Sequence, residues 1–212
     1  MSKRTLTAPR VHVACATTFG TTGEIAADIA NVLRQRGNTV TTGPIGDGID
    51  SADIDALIIG APIHYDTWTS PARNFVKDNE AFLRTIPVAY FFTCGTLFEP
   101  TGKALAAAQK YANTLERLSD HIAPVSIGQF AGVLDYSRMN FATRIALKIP
   151  FTLMGVAEGD YRNWDAIRSW TLSLHRHFRR AGGERVPSAG FETVRLRRTP
   201  QPADSRSAPR NS

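Results

Sequence analysis

The sequence predicts an α/β protein built on a doubly wound parallel sheet of five strands in the order 2-1-3-4-5. Three observations carry this. Short apolar runs alternate with stretches of helical periodicity between Val11 and Arg179. Two of those runs, 56–61 and 88–92, are apolar throughout, the pattern of strands covered on both faces. The strand ends at Ala16, Ala61 and Thr93 pass into loops rich in Thr, Gly or ring side chains, as expected at the carboxyl edge of such a sheet.

The first strand covers 11–16, Val-His-Val-Ala-Cys-Ala. A helix follows over 24–36, with Ile25, Ile29, Val32 and Leu33 on one face, and Gly37 is its C-terminal stop. A weaker strand covers 38–42. The third strand is 56–61. Pro71 opens a helix over 71–83 that carries Phe75, Val76, Phe82 and Leu83. The fourth strand is 88–92, an Ala-rich helix covers 102–118, and the fifth strand is 123–130. A long insertion of about 131–161 follows, after or within the fifth strand. Within it a helix reaches Ile149 and is broken by Pro150, with Arg144 and Lys148 on one face and Ala142, Ala146, Ile149 and Leu153 on another. A last helix covers 164–179 with Asn163 as its N-cap.

Residues 1–10 are thus an N-terminal extension, 11–180 the domain, and 181–212 an Arg/Pro/Ser-rich tail read as disordered. The charge follows the same division. The chain has 212 residues and a net charge of +6, and nine bases against three acids lie from Arg176 onward, which accounts for the whole excess. A basic body suited to nucleic acid is excluded; only a basic tail remains. Two cysteines exclude a disulfide-stapled secreted domain. No apolar run is long and uncharged enough to span a bilayer, so the cytoplasm is the expected location.

The three loops carry the chemistry. Thr17, Thr18, Phe19, Gly20, Thr21 and Thr22 form a hydroxyl-rich turn opening a helix, a cradle for one phosphate monoester without a basic side chain. It lacks the Gly-Lys-Ser/Thr of a nucleoside triphosphate loop and the spaced glycines of a dinucleotide site. The second loop, with Pro62, Ile63, His64 and Tyr65 followed by Asp66 and Trp68, sets His64, Tyr65 and Trp68 beside the crevice, where a planar ligand can stack. The third, Thr93, Cys94, Gly95 and Thr96, lets a ligand approach the backbone at its glycine. Cys15 is read as core. It lies two strand spacings from Cys94, about 10 Å, too far for a disulfide. No residue pattern holds a metal, and no acid–base pair is assigned. Asp residues at the ends of strands 1 and 3, which a phosphoryl-accepting domain needs, are absent: Ala16 and Ala61 stand there.

The loops resemble the flavodoxin family. Residues 17–22 are similar to its phosphate motif T-x-T-G-x-T, with Phe19 in place of the third-position threonine. More narrowly, the chain resembles the flavodoxin-domain group that includes the menaquinone-dependent protoporphyrinogen dehydrogenases. That resemblance runs from about Val11 to Leu174, through Thr22-Gly-Glu-Ile-Ala26, Ile59-Gly-Ala-Pro-Ile-His-Tyr65, Ser70 with Phe75-Val-Lys77, Gly132-Val-Leu-Asp-Tyr136 and the Trp164 segment. It implies a flavodoxin-like fold and non-covalent FMN. The phosphate would rest on 17–22, and the ring would lie between His64/Tyr65 and 93–96. An apolar surround with no nearby Lys or Arg would then disfavour an anionic reduced ring.

The resemblance also implies an oxidoreductase acting on protoporphyrinogen or a related reduced substrate, with a quinone as acceptor. The alternative is an electron carrier docking on redox proteins. Residues 139–154 and the basic tail offer peripheral contact with the inner face of the cell membrane. The blander expectation for 139–154 is a lid packing its apolar side on the domain.

Overall fold

Five parallel strands form the sheet. They are β1 (Arg10–Cys15), β2 (Thr39–Pro44), β3 (Ala56–His64), β5 (Val88–Thr93) and β6 (Ile127–Phe130), in the order β2-β1-β3-β5-β6. The computed structural model describes residues 8–46, 53–139, 141–153 and 155–183. The tail beyond 183 and residues 1–7 lie outside the described residues. The parallel order is the expected one, and the sheet has a further member that the sequence did not announce. β4 (Thr67–Trp68) folds back antiparallel on β3, pairing Ile63 with Trp68 and His64 with Thr67. That pairing is why β3 runs three residues past its expected end.

Alternation along the strands divides the core. Leu57, Ile59 and Ala61 of β3, with Val88, Tyr90 and Phe92 of β5, pack against α2 (Ser70–Asp78) and α4 (Gly102–Glu116). Ala56 and Ile58, with Ala89 and Phe91, face α1 (Thr21–Gln35) and α6 (Trp164–Gly183). Helices therefore cover both faces, as continuous apolar strands require. Each fully buried Leu, Ile or Phe contributes about 1.5–3 kcal/mol of transfer free energy.

Caps set the helix ends. Asn163 Oδ1 accepts from Ala166 N–H at 2.9 Å, so the expected N-cap forms. Gly37 ends α1 with φ +83°. α1 begins at Thr21 rather than at residue 24, which puts the loop threonines in its first turn. The expected 71–83 helix is interrupted at Asn79, whose side-chain Nδ2 donates to Phe75 O at 2.8 Å; α3 (Glu80–Leu83) continues beyond it. β6 is shorter than its expected span because Pro124 has no N–H to donate, and contact with β5 starts where Val125 N donates to Val88 O at 2.8 Å. α6 continues to Gly183, past its expected end.

The insertion is a small layer of its own. β7 (Val133–Leu134) pairs antiparallel with β8 (Gly159–Asp160) at its base. A 3₁₀ turn at Tyr136–Arg138 follows, capped by Asp135, and then α5 (Phe141–Leu153). Pro150 does not break α5, contrary to expectation. Phe151, in the turn beyond it, packs on Phe98 with ring centroids 5.6 Å apart. This tertiary contact offsets the hydrogen bond that proline deletes.

Candidate functional site

The carboxyl ends of β1, β3 and β5 open into one cavity of about 850 Å³. Thirteen of the fourteen site residues read from the sequence line it: Thr17, Thr18, Phe19, Thr21, Thr22, Pro62, Ile63, His64, Tyr65, Thr93, Cys94, Gly95 and Thr96. Gly20 does not. It shapes the loop from behind, with φ +88° at the N-cap of α1.

The first loop is braced from within. Thr17 Oγ1 accepts from Gly20 N–H at 2.9 Å. The first backbone bond of α1 is Glu24 N–H to Gly20 O at 3.0 Å, so the N–H groups of Thr21, Thr22 and Gly23 have no intrahelical acceptor. Buried Thr22 and Thr93 share a 3.0 Å hydrogen bond between their hydroxyls, tying the first loop to the third.

The second loop is a two-residue hairpin. Tyr65 and Asp66 form its tip with φ of +50° and +61°. The tip leaves the Tyr65 ring fully exposed on the cavity wall. Asp66 is fixed by Tyr111, whose Oη donates to Asp66 Oδ1 at 2.5 Å. Burial lowers the pKa of His64 and favours its neutral ring. Trp68 departs from expectation. The β3–β4 pairing turns it into the core at 1% exposure, and its Nε1 donates to Ala61 O at 3.0 Å. It is not a wall of the cavity.

In the third loop, Cys94 lines the cavity, and burial pushes its thiol up to about 11. It is therefore a protonated, unreactive thiol at neutral pH. Cys15 is half-buried and packs against the core, and both cysteines are free. Gly95 is closely approached: a Cβ there would lie 3.0 Å from Phe151 of the lid and 3.2 Å from Phe98 of its own turn.

The lid expected at 139–154 is present as α5 and roofs the cavity together with residues from other segments. Phe98, Leu134, Met139, Leu147, Phe151 and Val156 close the cavity on the side away from the sheet. Of the apolar face expected at 142, 146, 149 and 153, Ile149 and Leu153 are exposed; Thr143, Leu147 and Phe151 meet the cavity instead. The expectation of no nearby cation also fails. Lys103 lines the cavity, and Arg138 reaches the first loop, its Nη1 3.4 Å from Phe19 O and 2.8 Å from Glu24 Oε1. Neither is adjacent to the loops in sequence. Arg162 also pairs with Glu24 and binds Asp160 through a second nitrogen at 2.6 Å. Arg138 and Arg162 together hold the Glu24 carboxyl below its ordinary range.

The flavodoxin domain family matches residues 12–160. The chain belongs to that family. A protoporphyrinogen IX dehydrogenase [quinone] of Leishmania major is 28% identical over 131 residues, 58% of this chain and 54% of that protein. The match thus spans about half the length of that relative. The protein of the same name from Escherichia coli K12 is 23% identical over 163 residues, covering 73% of this chain and 88% of the relative. Among solved structures, a short-chain flavodoxin associated with a non-canonical PDU bacterial microcompartment aligns with TM-score 0.51 and 12% identity, over 80% of this chain and 99% of its own. It shares the fold.

Membership in the flavodoxin-domain family supports FMN as the cofactor. The residues suit that group: free helix-start N–H groups and threonine hydroxyls for a phosphate, an exposed tyrosine ring for a flat ligand, and a cavity within the size range of ligand sites. The family supports a flavin oxidoreductase or electron-transfer role for this chain.

Proposed function

We propose that this protein is an FMN-dependent oxidoreductase that oxidises a reduced tetrapyrrole of the protoporphyrinogen class and passes the electrons to a quinone. The observation that carries this reading is the roofed cavity. The three loops share it with the apolar inner face of α5, an arrangement suited to a small apolar reactant and poorly suited to a docking protein. The named relatives support the substrate and the acceptor.

In this reading residues 17–22 hold the phosphate, His64 and Tyr65 flank one side of the ring, and Thr93 to Thr96 flank the other. FMN, when bound, supplies a two-electron acceptor and donor. The chain binds and orients it, and Phe98, Leu147 and Phe151 exclude water from above. Oxidation of the substrate also releases protons. Neutral His64 and the carboxylate of Asp66, held by Tyr111, are acceptors on the cavity wall.

The lid also serves the partner. Its inner residues, Thr143, Leu147 and Phe151, line the cavity. Its outer residues, Phe141, Ile145, Ile149 and Leu153, are 78%, 46%, 60% and 83% exposed. No helix among the described residues is long and apolar enough to cross a membrane; the outer face of α5 instead suits peripheral contact with a bilayer, where a lipophilic quinone resides.

The test is anaerobic turnover of the FMN-loaded protein with protoporphyrinogen and a menaquinone analogue. Reduction of three quinones for each porphyrinogen carried to porphyrin, two electrons at a time through the flavin, supports the proposal. A flavin that exchanges electrons only with a redox protein would replace it with the carrier reading, and a protein that takes up no FMN would sink both.

A further inference from the structure

We infer that Arg138, carried by the insertion, is the cationic member of the phosphate site, so that cofactor binding and lid closure are coupled. This rests on the reading that residues 17–22 hold the FMN phosphate. The loop itself has no base, and its motif loses a hydroxyl at Phe19. At that same residue the fold delivers a guanidinium: Arg138 Nη1 donates to Phe19 O at 3.4 Å, and a Cβ built on Gly20 would lie 3.6 Å from it.

Arg138 is held in place by carboxylates on both sides. Its Nε donates to Asp135 Oδ2 at 3.0 Å, and its Nη1 to Glu24 Oε1 at 2.8 Å. Glu24 is shared with Arg162, which is itself paired with Asp160. Arg162 can therefore keep Glu24 neutralised while Arg138 turns a donor toward the phosphate. Five fixed N–H donors suit Arg138 to that geometry. Arg138 and Arg162 lie before and after α5, so one carboxylate on α1 ties down the chain on both sides of the lid helix. Any gain in FMN affinity through Arg138 is returned as stability of the closed lid, because coupling is reciprocal.

The experiment compares FMN with riboflavin, which lacks the phosphate, by flavin fluorescence quenching on apoprotein. The variants are Arg138→Gln, Arg138→Lys and Glu24→Gln, with a thermal melt of each as a folding check. In Arg138→Gln, FMN affinity should fall tenfold to a hundredfold, the range for a lost charge-assisted hydrogen bond. Riboflavin affinity should stay within twofold. Arg138→Lys should recover part of the loss, and Glu24→Gln, which loosens the insertion but leaves Arg138 its charge, should lower FMN affinity less than Arg138→Gln does. The salt dependence of FMN binding should weaken in Arg138→Gln.

The coupling has its own readout. Trypsin cleavage at exposed Arg144 and Lys148 should be slowed by FMN in the wild type and not in Arg138→Gln. Equal weakening of FMN and riboflavin, or no weakening of either, would overturn the assignment. Equal protection by FMN in both proteins would overturn the coupling. A wild type that binds riboflavin as tightly as FMN would instead overturn the phosphate-loop reading beneath it.

Discussion

Gly60 of β3 and Tyr65 of the hairpin that follows it show opposite uses of backbone space. Gly60 is the point where β3 passes under Phe91. A Cβ there would lie 2.0 Å from a ring carbon, and that ring is fully buried against Phe130 and Trp170. Gly60→Ala should therefore lower unfolding stability by about 1–3 kcal/mol in urea titration, the usual cost of overpacking. Tyr65 does the reverse, holding φ +50° with a bulky side chain, a conformation that costs about 1–3 kcal/mol for a residue other than glycine. Tyr65→Gly should raise the stability of apoprotein by about 1 kcal/mol and weaken FMN. A variant that loses both stability and affinity would show that the ring supports the hairpin rather than the ligand. The ring-bearing loop was legible in the sequence; this strain was not. It exists only because β4 folds back on β3, and two residues, Thr67 and Trp68, are too short a run to announce a strand. The same fold-back explains why Trp68 reads as a wall but lies in the core.

Among the elements, sheet order and covering helices were legible because they depend on patterns local to each segment. The lining of the roof was not, because its contacts join distant segments: Phe98 meets Phe151, and Arg138 and Arg162 reach Glu24 from more than a hundred positions away. Propensity misled at Pro150, where packing of Phe151 decided the outcome. The Glu24 pairs predict an acid response of the insertion. Arg138 and then Arg162 lower the Glu24 carboxyl, Ser137 and Arg138 lower Asp135, and Arg162 lowers Asp160. Each folded pKa lies below its unfolded value, near 4.5 for Glu24 and 3.8 for the aspartates. Their stabilising effect is thus complete above those values and is lost as pH falls through the folded ones. Hydrogen-exchange protection of residues 133–160 should hold down to about pH 4.5 and drop selectively below it, while β1 and β3 keep theirs. Glu24→Gln should reproduce part of that drop at pH 6. Uniform loss across the sheet and the insertion would mean that acid acts globally.

The whole molecule joins an electrically balanced body to a basic C-terminal region, with α5 apolar on two sides. Phe141, Ile145, Ile149 and Leu153 recur every four residues. Each step turns about 400°, so the four occupy a band some 120° wide and about 18 Å long. Water is a costly neighbour for such a band, and α5 carries Arg144 and Lys148 and no acid. Beyond Gly183 the sequence adds six arginines and three acids. Against an anionic bilayer a base near the surface contributes about 1 kcal/mol, and salt screens it; the apolar band responds little to salt. The two sources of attachment are therefore separable. In flotation with anionic liposomes, truncation after Gly183 should weaken binding at low salt, with little change at high salt. The pair Ile149→Glu and Leu153→Glu should weaken it at both, since these side chains face outward and FMN affinity should be unaffected. Full-length protein that fails to float at either salt concentration would leave the outer face of α5 without its bilayer partner, and the route of a lipophilic acceptor into the cavity would then have to be sought at the open rim beside Tyr65.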